Sequence, residues 1–194
     1  MRTLRLAPVA ALALLAGCGF QSIPRAENAV AAAWSEVENQ YQRRADLVPN
    51  LVETVKGYAS HERETLEGVT KARAEATQVK LTVDQLTPEN MKRFEEAQGQ
   101  LRSALGRLLA VAEAYPDLKA SESFRDLQAQ LEGTENRIAT ARRRYIQEVQ
   151  SFNDLVTVPP TSWTNSMMYH KAAKAQFSAT TEGADKAPRV NFGK

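Results

Sequence analysis

Apolar residues recur every three or four positions from Val30 onward, through Trp34, Val37 and Tyr41, and the spacing predicts an amphipathic helix opening at Asn28. Pro49 interrupts this run, and the same period resumes through Leu51, Val55, Tyr58, Leu66, Val69, Ala72, Ala76 and Val79. Lys80–Thr87 reads as a loop. Thr87-Pro88 then offers a capping hydroxyl and a proline at the first helical position. In the next segment Phe94, Leu101, Leu108 and Tyr115 share one heptad position, while Ala97, Ala104 and Val111 share another. Tyr115-Pro116-Asp117 ends that helix. A last long helix starts after Ser121, with a seam of Phe124, Leu127, Leu131, Thr134, Ile138, Ala141, Tyr145, Val149 and Phe152, and Val158-Pro159-Pro160 stops it.

Narrow heptad stripes bury themselves only against similar stripes, so each helix needs helical partners. No segment alternates with period two. The expected fold is all-α: a four-layered bundle of long helices over residues 27–177, with the first helix broken or kinked at Pro49. A straight helix over 28–79 would be about 78 Å long against about 42 Å for 88–115. Trp34, Val37 and Tyr41 would then lie bare. Either the chain breaks at Pro49 and packs 28–47 beside 50–79, or the segment Trp163–Phe177 covers them. Trp163, Met167, Met168 and Tyr169 are the candidates to dock there, and 178–194 reads as a loose tail.

Residues 1–17 have a different character. Arg2 and Arg5 precede an apolar stretch from Leu6 to Leu15, which is shorter than the roughly 20 residues that span a bilayer. The stretch ends in Leu15-Ala16-Gly17-Cys18, and the pattern resembles the signal peptide and lipobox of bacterial lipoproteins. That resemblance makes Cys18, the one cysteine of the chain, the acylated first residue of the mature protein, followed by a tether to residue 26. Two or three acyl chains, at roughly 0.8 kcal/mol per buried methylene, hold a protein on a membrane. Gly19 is not Asp, so no inner-membrane retention signal follows, and outer-membrane placement facing the periplasm or exterior is favoured.

Composition narrows the chemistry. The 194 residues carry 25 Lys+Arg and 23 Asp+Glu, and Arg2 and Arg5 account for the excess. A neutral remainder argues against nucleic-acid binding, which needs a surplus of basic residues. One Cys excludes an internal disulfide and a multi-cysteine metal site. Neither a G-x-S-x-G elbow nor a glycine-rich phosphate loop is present. His61-Glu62 begins like the zinc motif H-E-x-x-H, but position 65 is Thr and the other histidine is His170. The expectation is a non-enzyme with no metal, cofactor or small-molecule substrate. The rival is an envelope hydrolase or metal-dependent enzyme using His61 and Glu62. Arg142-Arg143-Arg144 reads as a solvated face.

The densest polar cluster is Gln42-Arg43-Arg44-Ala45-Asp46-Leu47-Val48-Pro49-Asn50. Arg44 falls on the heptad frame of Val30, Val37, Leu51 and Tyr58, and Glu62 falls on that of Trp34, Tyr41, Val48 and Val55. A charge on a seam is costly unless paired, so each needs a partner or a wet crevice. Asp46 and Asn50 are placed to bond backbone groups left unpaired by Pro49. The cluster is either a network that holds the helix or a recognition surface for a partner protein.

The string from Gln42 to Val52, with Trp34, Val55-Lys56-Gly57-Tyr58, His61-Glu62 and Ala72-Arg73, resembles the LemA family. Ala141–Tyr145, Phe152-Asn153 and Ala187–Phe192 extend the likeness, whereas Thr157–Lys174 departs from the family pattern. The resemblance implies a membrane-attached antiparallel four-helix bundle, no established enzymatic activity, and an association with envelope proteins and membrane quality control. It also adds Arg73 to the candidate patch of Arg43, Arg44, Asp46, Pro49, Asn50, Lys56, Tyr58, His61 and Glu62. The expected partners are the membrane, through Cys18, and another envelope protein. A passive spacer, with helix length as its function, is a third possibility.

Overall fold

A computed structural model describes residues 20–178. The leader over 1–17, Cys18 and the tail beyond 178 lie outside the described residues. Among the described residues the protein is all-helical, with no strand. Four long helices are α1 (Ser22–Tyr58), α2 (Arg63–Gln78), α3 (Pro88–Val111) and α5 (Glu122–Thr157). Shorter turns are α4 (Pro116–Ala120) and α6 (Thr161–Thr164), the latter continuing into a π-turn at Asn165–Tyr169. Among these described helices none is long and apolar enough to cross a membrane.

Two expectations about α1 need correction. It begins at Ser22, not near Glu27, and Ile23 is fully buried, so residues 22–26 belong to the helix and not to a tether. Pro24 fits because the first turn has no intrahelical partner for its N–H groups. Nor does the chain break at Pro49: the helix continues through that residue, and the break falls at Ala59–Glu62. Tyr58, given an apolar seam position by its spacing, is 48 % exposed there.

Named contacts fix the directions. Trp34 meets Tyr145 (5.3 Å between ring centroids) and Arg44 meets Glu135 (3.0 Å), so α5 runs opposite to α1. Arg73 reaches back to Ala45, which folds α2 along α1. Gln98 reaches Ala76 and Tyr115 reaches Glu62, so α3 opposes α2. Thr87 accepts from the Asn90 N–H (3.3 Å) with Pro88 in the first turn, as the sequence dictates for the start of α3.

Because α2 is short, it leaves the Ser22 end of α1 without a helical neighbour on one side. The loop at 79–87 and an extended strap over 171–178 fill that space. Trp34 donates to the Leu81 carbonyl (2.8 Å) and packs against Phe94, Tyr145 and Phe177. Asn153 clasps both backbone groups of Lys174 (2.8 and 2.9 Å), the Ala175 N–H donates to Leu86, and Tyr145 donates to the Ala175 carbonyl. The strap docks through Lys174, Ala175 and Phe177. Of the four docking candidates, Trp163, Met167 and Met168 face outward and only Tyr169 is held, by a bond to the Phe20 carbonyl (2.7 Å). Asn165, not an apolar residue, is the buried group of that turn.

Candidate functional site

The core falls into two apolar compartments. One contains Ile23, Trp34, Tyr41, Phe94, Tyr145, Phe152 and Phe177; the other contains Val48, Val55, Leu66, Leu101, Leu108 and Leu131. A polar layer lies between them, and Arg44 is its centre at 2 % exposure. Its Nη1 donates to Glu135 on α5 (3.0 Å), and its Nη2 to the side chain (2.6 Å) and carbonyl (3.2 Å) of Gln98 on α3. The guanidinium also lies over the Tyr41 ring, 4.9 Å from its centroid. Gln98 passes the connection to α2 by donating to the Ala76 carbonyl (3.1 Å), an acceptor in the last turn of α2, where backbone carbonyls lack helical partners. One buried cation thus bonds residues of two other long helices and reaches a third through Gln98.

Pairing is needed because an unpaired buried charge costs several kcal/mol. Arg44 has both a partner and a crevice: a groove of about 510 Å³ between α3 and α5, lined also by Arg102, Glu135, Arg142 and Arg143, opens beside it. Its Nε has no partner among the described residues. Burial raises the Tyr41 hydroxyl above its ordinary pKa of 10.0, against the pull of Arg142 and Arg44. Tyr41 therefore stays neutral beside the cation.

The candidate patch divides into inward and outward halves. Arg44 and Arg73 point in and tie helices together. Arg73 Nε donates to the Ala45 carbonyl (2.7 Å), the acceptor that Pro49, lacking an N–H, leaves open. Asp46 and Asn50 do not serve that purpose: Asp46 accepts from Gln42 (2.7 Å), and the Asn50 carbonyl accepts from Thr54 (2.8 Å). Arg43, Asp46, Pro49, Asn50, Lys56, Tyr58 and His61 are all exposed. Lys56 pairs with Glu53 on its own helix. Glu62 is half-buried and accepts from Tyr115 (3.3 Å), while His61 faces outward beside it. Among the described residues no group of three His, Cys, Asp or Glu side chains is assembled to hold a metal.

Gln98 and Glu135, which bond Arg44, and Glu95, which pairs with Arg142, lie outside the polar string from Gln42 to Asn50. Their signal was faint: each flanks an apolar seam, where a polar residue is ordinary. Arg142 is a correction. It is largely covered, pairs with Glu95 (3.2 Å) and sits 4.2 Å over the Phe177 ring, while Arg143 and Arg144 are exposed.

Comparison with known proteins gives a consistent picture. The LemA family model matches residues 33–192, from just before Trp34 to Phe192. Protein LemA of Metamycoplasma hominis is 29 % identical over 141 residues, covering 73 % of this chain and 59 % of the relative. Magnetosome protein MamQ 2 of Paramagnetospirillum magneticum is 27 % identical, over 66 % of this chain and 54 % of that protein. Magnetosome protein MamQ of Magnetospirillum gryphiswaldense is 25 % identical, over 65 % and 53 %. The chain therefore matches little more than half the length of these relatives.

Proposed function

Because the chain belongs to the LemA family, we propose that it is a membrane-anchored, non-enzymatic helical module of the bacterial cell envelope that grips another envelope protein. In this reading α1, α2, α3 and α5 form one antiparallel four-helix bundle. The acylated Cys18 holds it at the outer membrane, facing the periplasm or exterior, with a role in envelope quality control. The relatives named LemA and MamQ support a non-catalytic, membrane-associated role.

The observation that carries the reading is the division of the polar string. Arg44 and Arg73 supply the cross-links, yet among the described residues no side-chain hydrogen bond or ion pair ties Arg43, Asp46, Asn50, Lys56, Tyr58 or His61 to another helix. Charged, amide and aromatic groups thus line the outer face and distal end of α1 without holding the fold. At 1.5 Å per residue, the 37 residues of α1 place that end about 55 Å from its start. Such a face suits reversible contact with a protein surface.

A photocrosslinker at position 43 in intact cells tests this. One discrete adduct is expected, lost with Asp46→Ala while the melting temperature stays within about 1 °C. An adduct pattern unchanged by substitution anywhere on this face would reject the reading.

A further inference from the structure

The large apolar side chains left exposed are not spread evenly. Phe20, Val158, Trp163, Met167 and Met168 are all at least half exposed, and Trp163 and Met167 reach 65 % and 81 %. The bond from Tyr169 to the Phe20 carbonyl and the continuous turns from Val158 to Tyr169 bring them to the Ser22 end of the rod. Trp163 and Met167 are four residues apart on one continuous helical stretch.

This exposure is held in place. Asn165 is buried beneath the turn, donating to the Val156 and Lys171 carbonyls (3.3 and 2.9 Å) and accepting from the Lys171 N–H (2.9 Å). The turn is thereby pinned to the end of α5 with its apolar side chains outward. Soluble surfaces seldom keep a tryptophan and two methionines together in water.

We propose that this end of the rod is seated in the headgroup region of the membrane, with Trp163, Met167 and Met168 inserted among the lipids. The proposal rests on the reading of Cys18 as the anchor. Phe20 follows Cys18 by two residues, so about 7 Å of extended chain at most separates an acylated Cys18 from the patch. A lipid surface is then the first thing the patch meets. Tryptophan suits that depth because its ring is apolar and its N–H is polar, and methionine adapts to disordered neighbours. The flanking charges are of both signs, with Lys171 paired to Glu27 (2.9 Å), so insertion needs no anionic lipid.

The seat fixes the rod's tilt as well as its position. One acylated residue alone is a swivel. A second contact beside it gives the bundle a defined stance, with Tyr58 and His61 at the far end.

The test uses the full mature protein in phosphatidylcholine vesicles whose acyl chains carry bromine near the headgroup. Trp34 is encased and provides a constant background. Quenching of the Trp163 share of the emission is expected, with complete loss of quenching in Trp163→Phe. Mass spectrometry of Cys18 is read on the same sample. Quenching with an unmodified Cys18 would keep the seat and remove the lipid anchor. An acylated protein whose Trp163 escapes bromine would overturn the seat alone, whether iodide in the buffer quenches it or a protein surface shields it from both. Neither acylation nor quenching would overturn both.

Discussion

The guanidinium of Arg73 supplies the hydrogen bond that α1 cannot make for itself: its Nε lies 2.7 Å from the carbonyl of Ala45, four residues before Pro49. A proline inside a helix removes one i to i−4 bond and costs about 3 kcal/mol. Here the orphaned acceptor becomes the point where α2 fastens to α1. Arg73→Ala is expected to cost about 1–3 kcal/mol by leaving that carbonyl without its partner. In a Pro49→Ala background, where residue 49 regains an N–H, the cost should shrink by about 1 kcal/mol or more. Urea unfolding of the four proteins measures the coupling, and strict additivity would refute the assignment.

Arg44 and Arg43 are neighbours with opposite fates. Arg44→Ala strands Glu135 and Gln98 in the polar layer and should cost about 3–5 kcal/mol, lowering the melting temperature by on the order of 10 °C for a protein of this size. Arg44→Met keeps the volume and should cost less. Arg43→Ala should stay within about 0.5 kcal/mol. Calorimetry that ranked Arg43 above Arg44 would contradict the inward and outward assignment.

The strap should loosen before the helices do. Asn153→Ala removes both bonds to Lys174, and Tyr145→Phe removes the one to Ala175. Amide exchange at residues 174–178 should rise in either variant, by tenfold or more for Asn153→Ala if each lost bond is worth about 1 kcal/mol. Exchange in α2 should be unaffected.

Glu38 contributes a pH dependence of known sign. Burial raises its carboxyl above the ordinary 4.5, partly offset by the Leu81 backbone, Trp34 and Lys80. The folded chain thus holds this proton more tightly than the unfolded chain does. Its contribution to stability falls as pH climbs from about 4.5 through the raised value, and stays low above it. Glu38→Gln, uncharged throughout, should melt higher than the parent at pH 7. The advantage should close as pH drops below 4.5, and a constant gap across the range would exclude the carboxylate as its cause.

By itself the sequence determined the local features. A period of three to four made the chain helical, Thr87-Pro88 started α3, and the seam from Phe124 to Phe152 defined the buried stripe of α5. It also required a partner or a wet crevice for Arg44, because a cation on an apolar stripe has few other affordable states. Tertiary structure decided which groups answered those demands. Only the register between helices brought Gln98 and Glu135 to Arg44, and only the return of α2 brought Arg73 to Ala45. That bond lets α1 run through Pro49 and turn at Ala59–Glu62 instead. The strap shows the same division: its docking runs through Asn153 and Tyr145 to backbone groups of residues 174 and 175, which no side-chain pattern marks. Periodicity describes how one helix meets an apolar surface, whereas the identity of a hydrogen-bond partner depends on how far neighbouring helices slide past one another, and that distance is set only when the whole core packs.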